Sequence, residues 1–131
     1  MSLDQVVHNT PSTSQQWSSF YYASMAFVAV TELDSFSTAL NCDKYGIDIE
    51  KMQFAKYLIE HCGIVSGLLL ESALIYPVIL GGGYFLNKLS ESLDDTIKNT
   101  GTIAIGAFTL ISIPIIIGNF AQYFSVLNIL K

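Results

Sequence analysis

Carboxylates stand inside the long apolar stretches of this chain, where they are expensive to keep. Glu32 and Asp34 lie within one such stretch, and Glu60, His61 and Glu71 within the next. An ionisable group at membrane depth costs about 2.5–3.5 kcal/mol on insertion scales, so it turns toward protein and often marks a proton or ion pathway. Asp34, Glu60 and Glu71 are the pathway candidates. Glu71, at the middle of its stretch, must be either protonated or paired. A hydrogen bond to Thr109, Asn119 or another subunit is the structural alternative to a relay. Asp34, Glu60 and His61 also form a candidate metal set, because imidazole and carboxylate suit zinc, iron or copper. A di-iron bundle uses Glu-x-x-His pairs, whereas Glu60 and His61 are adjacent and about 100° apart on a helix. A polar network locking two helices together is the competing reading. No cofactor is predicted.

Three elements must position these groups. The apolar stretches run roughly over 17–41, 55–87 and 100–130, each longer than the ~20 residues a helix needs to cross a bilayer core. The expected fold is all-α: an integral membrane protein with three transmembrane helices in antiparallel order. A polar tail, 1–16, precedes a helical domain over 17–131. Pro77 and Gly81-Gly82-Gly83 predict a kink or break in the second half of helix two, and Pro114 a kink in helix three. Trp17, Phe20, Tyr21 and Tyr22 mark the entry into the bilayer as an interfacial aromatic belt. The tail has neither a basic region nor a short apolar core of the signal-peptide kind, so the first stretch is expected to remain as an anchor.

Periodicity assigns faces. Helix one ends near Asn41 and helix two begins near Ala55, so Glu32, Asp34, Glu60 and His61 are expected at similar depth. Glu60, Gly63, Gly67 and Glu71 recur at spacings of three and four and form one stripe. Gly63 and Gly67 make a GxxxG pair that admits another helix closely. Thr31, Asp34, Ser35 and Thr38 form the matching stripe on helix one, and Thr109, Ser112, Asn119 and Gln122 a polar stripe on helix three. Glu32 lies about 200° from Asp34 around the axis and faces a third helix or a partner chain. The polar connector over 42–54 is expected to hold Asp43, Lys44, Asp48, Glu50 and Lys51 in water.

Composition narrows the function classes. Of 131 residues, 51% are apolar and only 13% charged, about half the usual ~25%. A soluble bundle would need polar outer faces that this sequence does not supply. Eleven carboxylates stand against six lysines, with no arginine. Nucleic acid is therefore not an expected partner, since arginine is the main tool for bidentate phosphate and base contacts. Lys44, Lys51, Lys56 and Lys131 fall on one side of the expected topology, against Lys88 and Lys98 on the other. The positive-inside rule then places the N-terminus outside and the C-terminus inside. Cys42 and Cys62 read as small buried thiols that the hairpin could bring close. There is no GxSxG, HExxH, Walker or GxGxxG motif, so the chain is not read as an enzyme.

The segment from Glu32 to Glu60 resembles an uncharacterised family of small multi-helix membrane proteins of archaea and bacteria. Asp34, Ser37, Thr38, Gly46 and Glu50 carry the resemblance, while Met52 and Gln53 stand where the family has Asn-Pro. The resemblance implies several membrane helices and a role for Asp34, and no activity. The expected function is a small non-catalytic, accessory subunit of a larger membrane complex. Its partners would be other membrane subunits or further copies of itself, within the lipid bilayer. The alternatives are a proton-relay or ion-transport element, a metal-binding component of a membrane oxidoreductase or monooxygenase, and an envelope structural protein.

Overall fold

The computed structural model describes residues 13–92 and 99–124. Among these the chain is all-helical, with four α-helices: α1 (Thr13–Tyr45), α2 (Gln53–Cys62), α3 (Ile64–Glu91) and α4 (Thr100–Tyr123). A 3-10 turn, Ile47–Ile49, lies between α1 and α2. The C-terminal part of the expected third helix, from 125 onward, and the tail over 1–12 lie outside the described residues.

α1 is uninterrupted for 33 residues because no glycine or proline falls between Thr13 and Tyr45. Gly46 ends it, with its N–H donating to Cys42 O at 2.9 Å. The expected second helix is two helices. The break falls at Gly63 and not at Pro77 or the glycine triplet, through which α3 runs continuously for 28 residues. Gly63 has φ 87° and ψ 164°, a backbone region that side-chain-bearing residues avoid. It closes α2 by donating to Ile59 O at 2.9 Å and opens α3 by accepting from Gly67 N at 2.8 Å. The chain folds back sharply here, and an added Cβ at Gly67 would stand 2.7 Å from Ile59 Cα. The GxxxG pair is thus split between two jobs. Gly63 makes the turn, with open space where a Cβ would be, and Gly67 lets α2 lie directly on α3.

α1, α3 and α4 form the body of the bundle. α1 runs antiparallel to α3 and parallel to α4, as the contacts at its two ends show. At its start, Trp17 Nε1 donates to Glu91 Oε1 at 2.9 Å, and the Trp17 ring packs on Phe20 and Tyr84 with centroids 5.6 and 5.3 Å away. At its close, Lys44 Nζ donates to Tyr123 O at 2.5 Å and Tyr45 OH to Gln122 O at 2.9 Å. These bonds reach carbonyls in the last turn of α4, where helical partners run out.

α3 and α4 cross most tightly at Gly83 and Gly101. A Cβ on Gly101 would overlap the carbonyl oxygen of Gly83, and one on Gly83 would stand 2.6 Å from Ile105 Cδ1. Beside this crossing, the fully buried Asn87 accepts from Thr102 N at 3.2 Å and donates to Thr102 Oγ1 at 3.0 Å. It therefore caps the first turn of α4 from a neighbouring helix.

α3 and α4 are each long and apolar enough to cross a membrane, and only 22% and 11% of their most apolar windows are buried in the bundle. The core helix of a soluble protein would be mostly buried; these helices present Val78, Phe85, Ile103, Leu110 and Ile111 outward.

Replacing Gly101 by alanine should destabilise the protein by about 1–3 kcal/mol, because the backbone of α3 has no room to yield. Gly106 faces open space, so Gly106→Ala should stabilise it by about 0.5–1 kcal/mol through the helix preference of alanine. Unfolding of both variants in detergent micelles measures the opposite signs. Equal stability would remove the Gly83–Gly101 crossing from the fold.

Candidate functional site

The polar side chains of α1 converge on one residue of α4. Asn119 Nδ2 lies 3.2 Å from Asp34 Oδ1, 3.2 Å from Ser37 Oγ and 3.4 Å from Thr38 Oγ1. An amide nitrogen has two hydrogens, so these acceptors share it. Asn41 Nδ2 returns the contact by donating to Asn119 O at 2.8 Å and to Ser37 O at 3.0 Å. Both of its acceptors are carbonyls, which fixes the orientation of the amide. Its own Oδ1 is buried without a hydrogen-bond partner among the described residues. Ser37 and Asn41 are 0% and 3% exposed, so this network lies between the helices. Helix periodicity explains why: Asp34, Ser37, Thr38 and Asn41 recur at spacings of three and four and share one face of α1.

The network borders a cavity of about 840 Å³ between α1, α3 and α4, closed over by the connector at Ile49, Glu50, Lys51 and Met52. Its polar lining includes Asp34, Ser35, Thr38 and Asn41 of α1, Glu71 and Ser72 of α3, and Asn119 and Gln122 of α4. Ser35 Oγ and Ser72 Oγ are 3.4 Å apart and bring α1 to α3 at the level of Glu71. Glu71 itself is only 8% exposed. The charges that act on its carboxylate are those of Glu50 and Asp34, and among the described residues it makes no hydrogen bond. The Asn119 partnership expected for Glu71 belongs to Asp34, and Thr109 instead donates to Ile105 O of its own helix at 2.9 Å.

Comparison with protein-family models, with curated proteins and with solved structures finds no match.

The structure brings Asp34 and Glu71 to one cavity and sends Glu60 and His61 elsewhere. The Gly63 turn is the cause, because it separates the helix that bears Glu60 from the one that bears Glu71. Glu60 is exposed. His61 stacks on Tyr57 at 4.1 Å, and its Nδ1 lies 2.8 Å from Tyr57 O. Asp34, Glu60 and His61 do not meet, and among the described residues no group of three His, Cys, Asp or Glu side chains is placed to hold a metal ion. Cys42 is buried as expected, Cys62 is exposed, and both thiols are free. Glu32 points away from Asp34 and accepts a hydrogen bond from Tyr76 OH of α3. Ser112 is used up within α4, donating to Phe108 O at 3.0 Å.

Sequence reasoning missed Asn41, Ser72 and Glu50 as site residues, the last having been placed in water with the rest of the connector. Glu50 Oε1 accepts from Met52 N at 2.8 Å within the connector, and the residue lines the cavity. Asp48 and Lys56, by contrast, remain at the surface as an ion pair of 2.8 Å. The Lys56 ammonium holds the Asp48 carboxyl below its ordinary value, and Asp48 raises that of Lys56.

Asn119→Leu leaves Asp34 without its amide donor and should destabilise the protein by about 1–3 kcal/mol. Removing both polar groups, in Asp34→Leu with Asn119→Leu, should recover most of that loss, since neither group is then stranded. A double-mutant cycle by denaturation in micelles measures the coupling. Simple addition of the two losses would show that the residues do not act as a pair.

Proposed function

We propose that this chain is a multi-pass integral membrane protein whose α1, α3 and α4 all span the bilayer. On this reading it serves as a non-catalytic, accessory subunit of a larger membrane complex. The observation that carries the subunit reading is Glu32. It lies in the middle of α1, is exposed, and has Tyr76 OH as its hydrogen-bond donor. Left facing lipid, a charged carboxylate there would cost about 2.5–3.5 kcal/mol. A neighbouring protein that supplies a further donor or a cation removes this cost. The same outer surface of α1 carries Tyr21, Tyr22, Met25, Leu33 and Phe36, all more than half exposed or at its edge, which suits close contact with another helix. The lysine distribution supports an external N-terminus and an internal C-terminus.

A second reading, a proton-relay or ion-transport element, is favoured by one observation: Asp34 and Glu71 line the same cavity. Glu60 has no part in this version, since it sits on α2 away from that cavity.

Purification of the tagged full chain in mild detergent, followed by native mass spectrometry, tests the subunit reading. It should recover the chain with another membrane protein or as a defined self-assembly. Glu32→Gln keeps a donor and an acceptor and should preserve the assembly, whereas Glu32→Lys reverses the charge and should release the chain as a monomer. A wild-type monomer, or assembly indifferent to Glu32→Lys, would contradict the reading.

A further inference from the structure

The cavity has two unlike parts. Phe27, Ile79 and Phe108 supply apolar wall on the side toward the Gly83–Gly101 crossing, and Asp34, Glu71 and Glu50 supply carboxylates on the side toward the connector. Lys51, on the exposed connector, is the cation that the chain itself contributes to the lining. Three carboxylates against one lysine give an acidic bias to a partly open space between the helices and the connector. Buried carboxylates are normally paired or hydrogen-bonded. Asp34 has Asn119, and Glu50 has the N–H of Met52. Glu71 has neither, although it is more than nine-tenths buried and lines the cavity. Among the described residues it is the lining carboxylate left without a partner, and a bound cation would supply one.

Size and shape select that partner. The volume, about 840 Å³, falls in the ~300–1,000 Å³ range of small-molecule sites, which pair apolar walls with a few placed polar groups. A bare metal ion would use neither the volume nor the apolar wall, and the acidic side chains are not gathered into a metal-ligand cluster. We infer that the cavity binds a small organic ammonium ion. The ammonium is held at Glu71, with Asp34 and Glu50 adding to the field, and an aryl or alkyl body lies along Phe27, Ile79 and Phe108. This inference is independent of whether the chain has partner subunits.

Equilibrium dialysis of labelled phenethylammonium tests it, using the full chain in phosphatidylcholine nanodiscs with empty nanodiscs as background. Saturable one-to-one binding is expected. The neutral isostere 2-phenylethanol should bind at least about tenfold more weakly, the difference made by a charge-assisted contact. Glu71→Gln should weaken phenethylammonium binding by about the same factor, and Glu60→Gln, outside the cavity, should leave it unchanged. Should Glu71→Gln fail to fold, Glu50→Gln on the connector removes a charge from the same field and should still weaken binding. Absence of saturable binding would overturn the inference. So would equal binding of 2-phenylethanol, or indifference to both carboxylate substitutions. Stoichiometric displacement of the amine by calcium would do the same, by showing an inorganic cation site.

Discussion

Asp34 sets the problem that the rest of the bundle answers. A carboxylate on an apolar helix has to find a donor before that helix can pack, and the donor comes from Asn119, a member of the polar stripe on α4. The choice of Asn119 fixes which faces of α1 and α4 meet. Once they meet, Asn41 can reach the carbonyl of Asn119, and Lys44 and Tyr45 can reach the last turn of α4. One polar contact thus propagates into a closed end of the bundle. Hydrogen bonds between membrane helices are individually modest, averaging about 0.6 kcal/mol. Their importance here is directional: they specify register between helices that apolar packing alone would let slide.

The opposite end is closed by a different device. There the absence of side chains at Gly83 and Gly101 lets α3 and α4 touch backbone to backbone, and Asn87 caps α4 across the contact. Between the glycine crossing and the asparagine clamp the helices flank the cavity. The connector adds to its lining through Ile49, Glu50, Lys51 and Met52, and the Gly63 turn lays α2 on α3. A site whose polar groups are held by helices fastened at both ends is well placed to keep its geometry while its contents change.

Much of the helical content could be read directly from the sequence, because long apolar runs without breakers have few other ways to satisfy their backbone. The polar stripe of α1 was legible for the same reason, since period 3.6 fixes which side chains share a face. The break at Gly63 was not. Glycine inside a helical pattern signals either a close contact or a turn, and the GxxxG spacing argued for the contact; only Gly67 has it. Pro77 and the glycine triplet looked like stronger breakers, yet tertiary packing at Gly83 holds α3 together through them. Because Glu60 and Glu71 lie on either side of the break at Gly63, the three carboxylates are divided: Asp34 and Glu71 line one cavity and Glu60 does not. Asn41 and Asn87 stand where the apolar stretches end, so the sequence pattern marks them only as approximate boundaries. Their burial depends on which helices come together, which local pattern does not encode.

The proposed topology stands or falls with α1, which is proposed to cross the bilayer beside the two helices that are long and apolar enough to do so. Labelling of single cysteines in sealed vesicles by a membrane-impermeant maleimide tests this most directly, in a background with Cys42 and Cys62 replaced by serine. Ser18, Asp43 and Ser92 are exposed and mark the start of α1, its end, and the end of α3. The account predicts that Ser18→Cys and Ser92→Cys label from the same side and Asp43→Cys from the opposite side. Labelling of Ser18→Cys and Asp43→Cys from one side would contradict it, since α1 would then lie along the membrane without crossing.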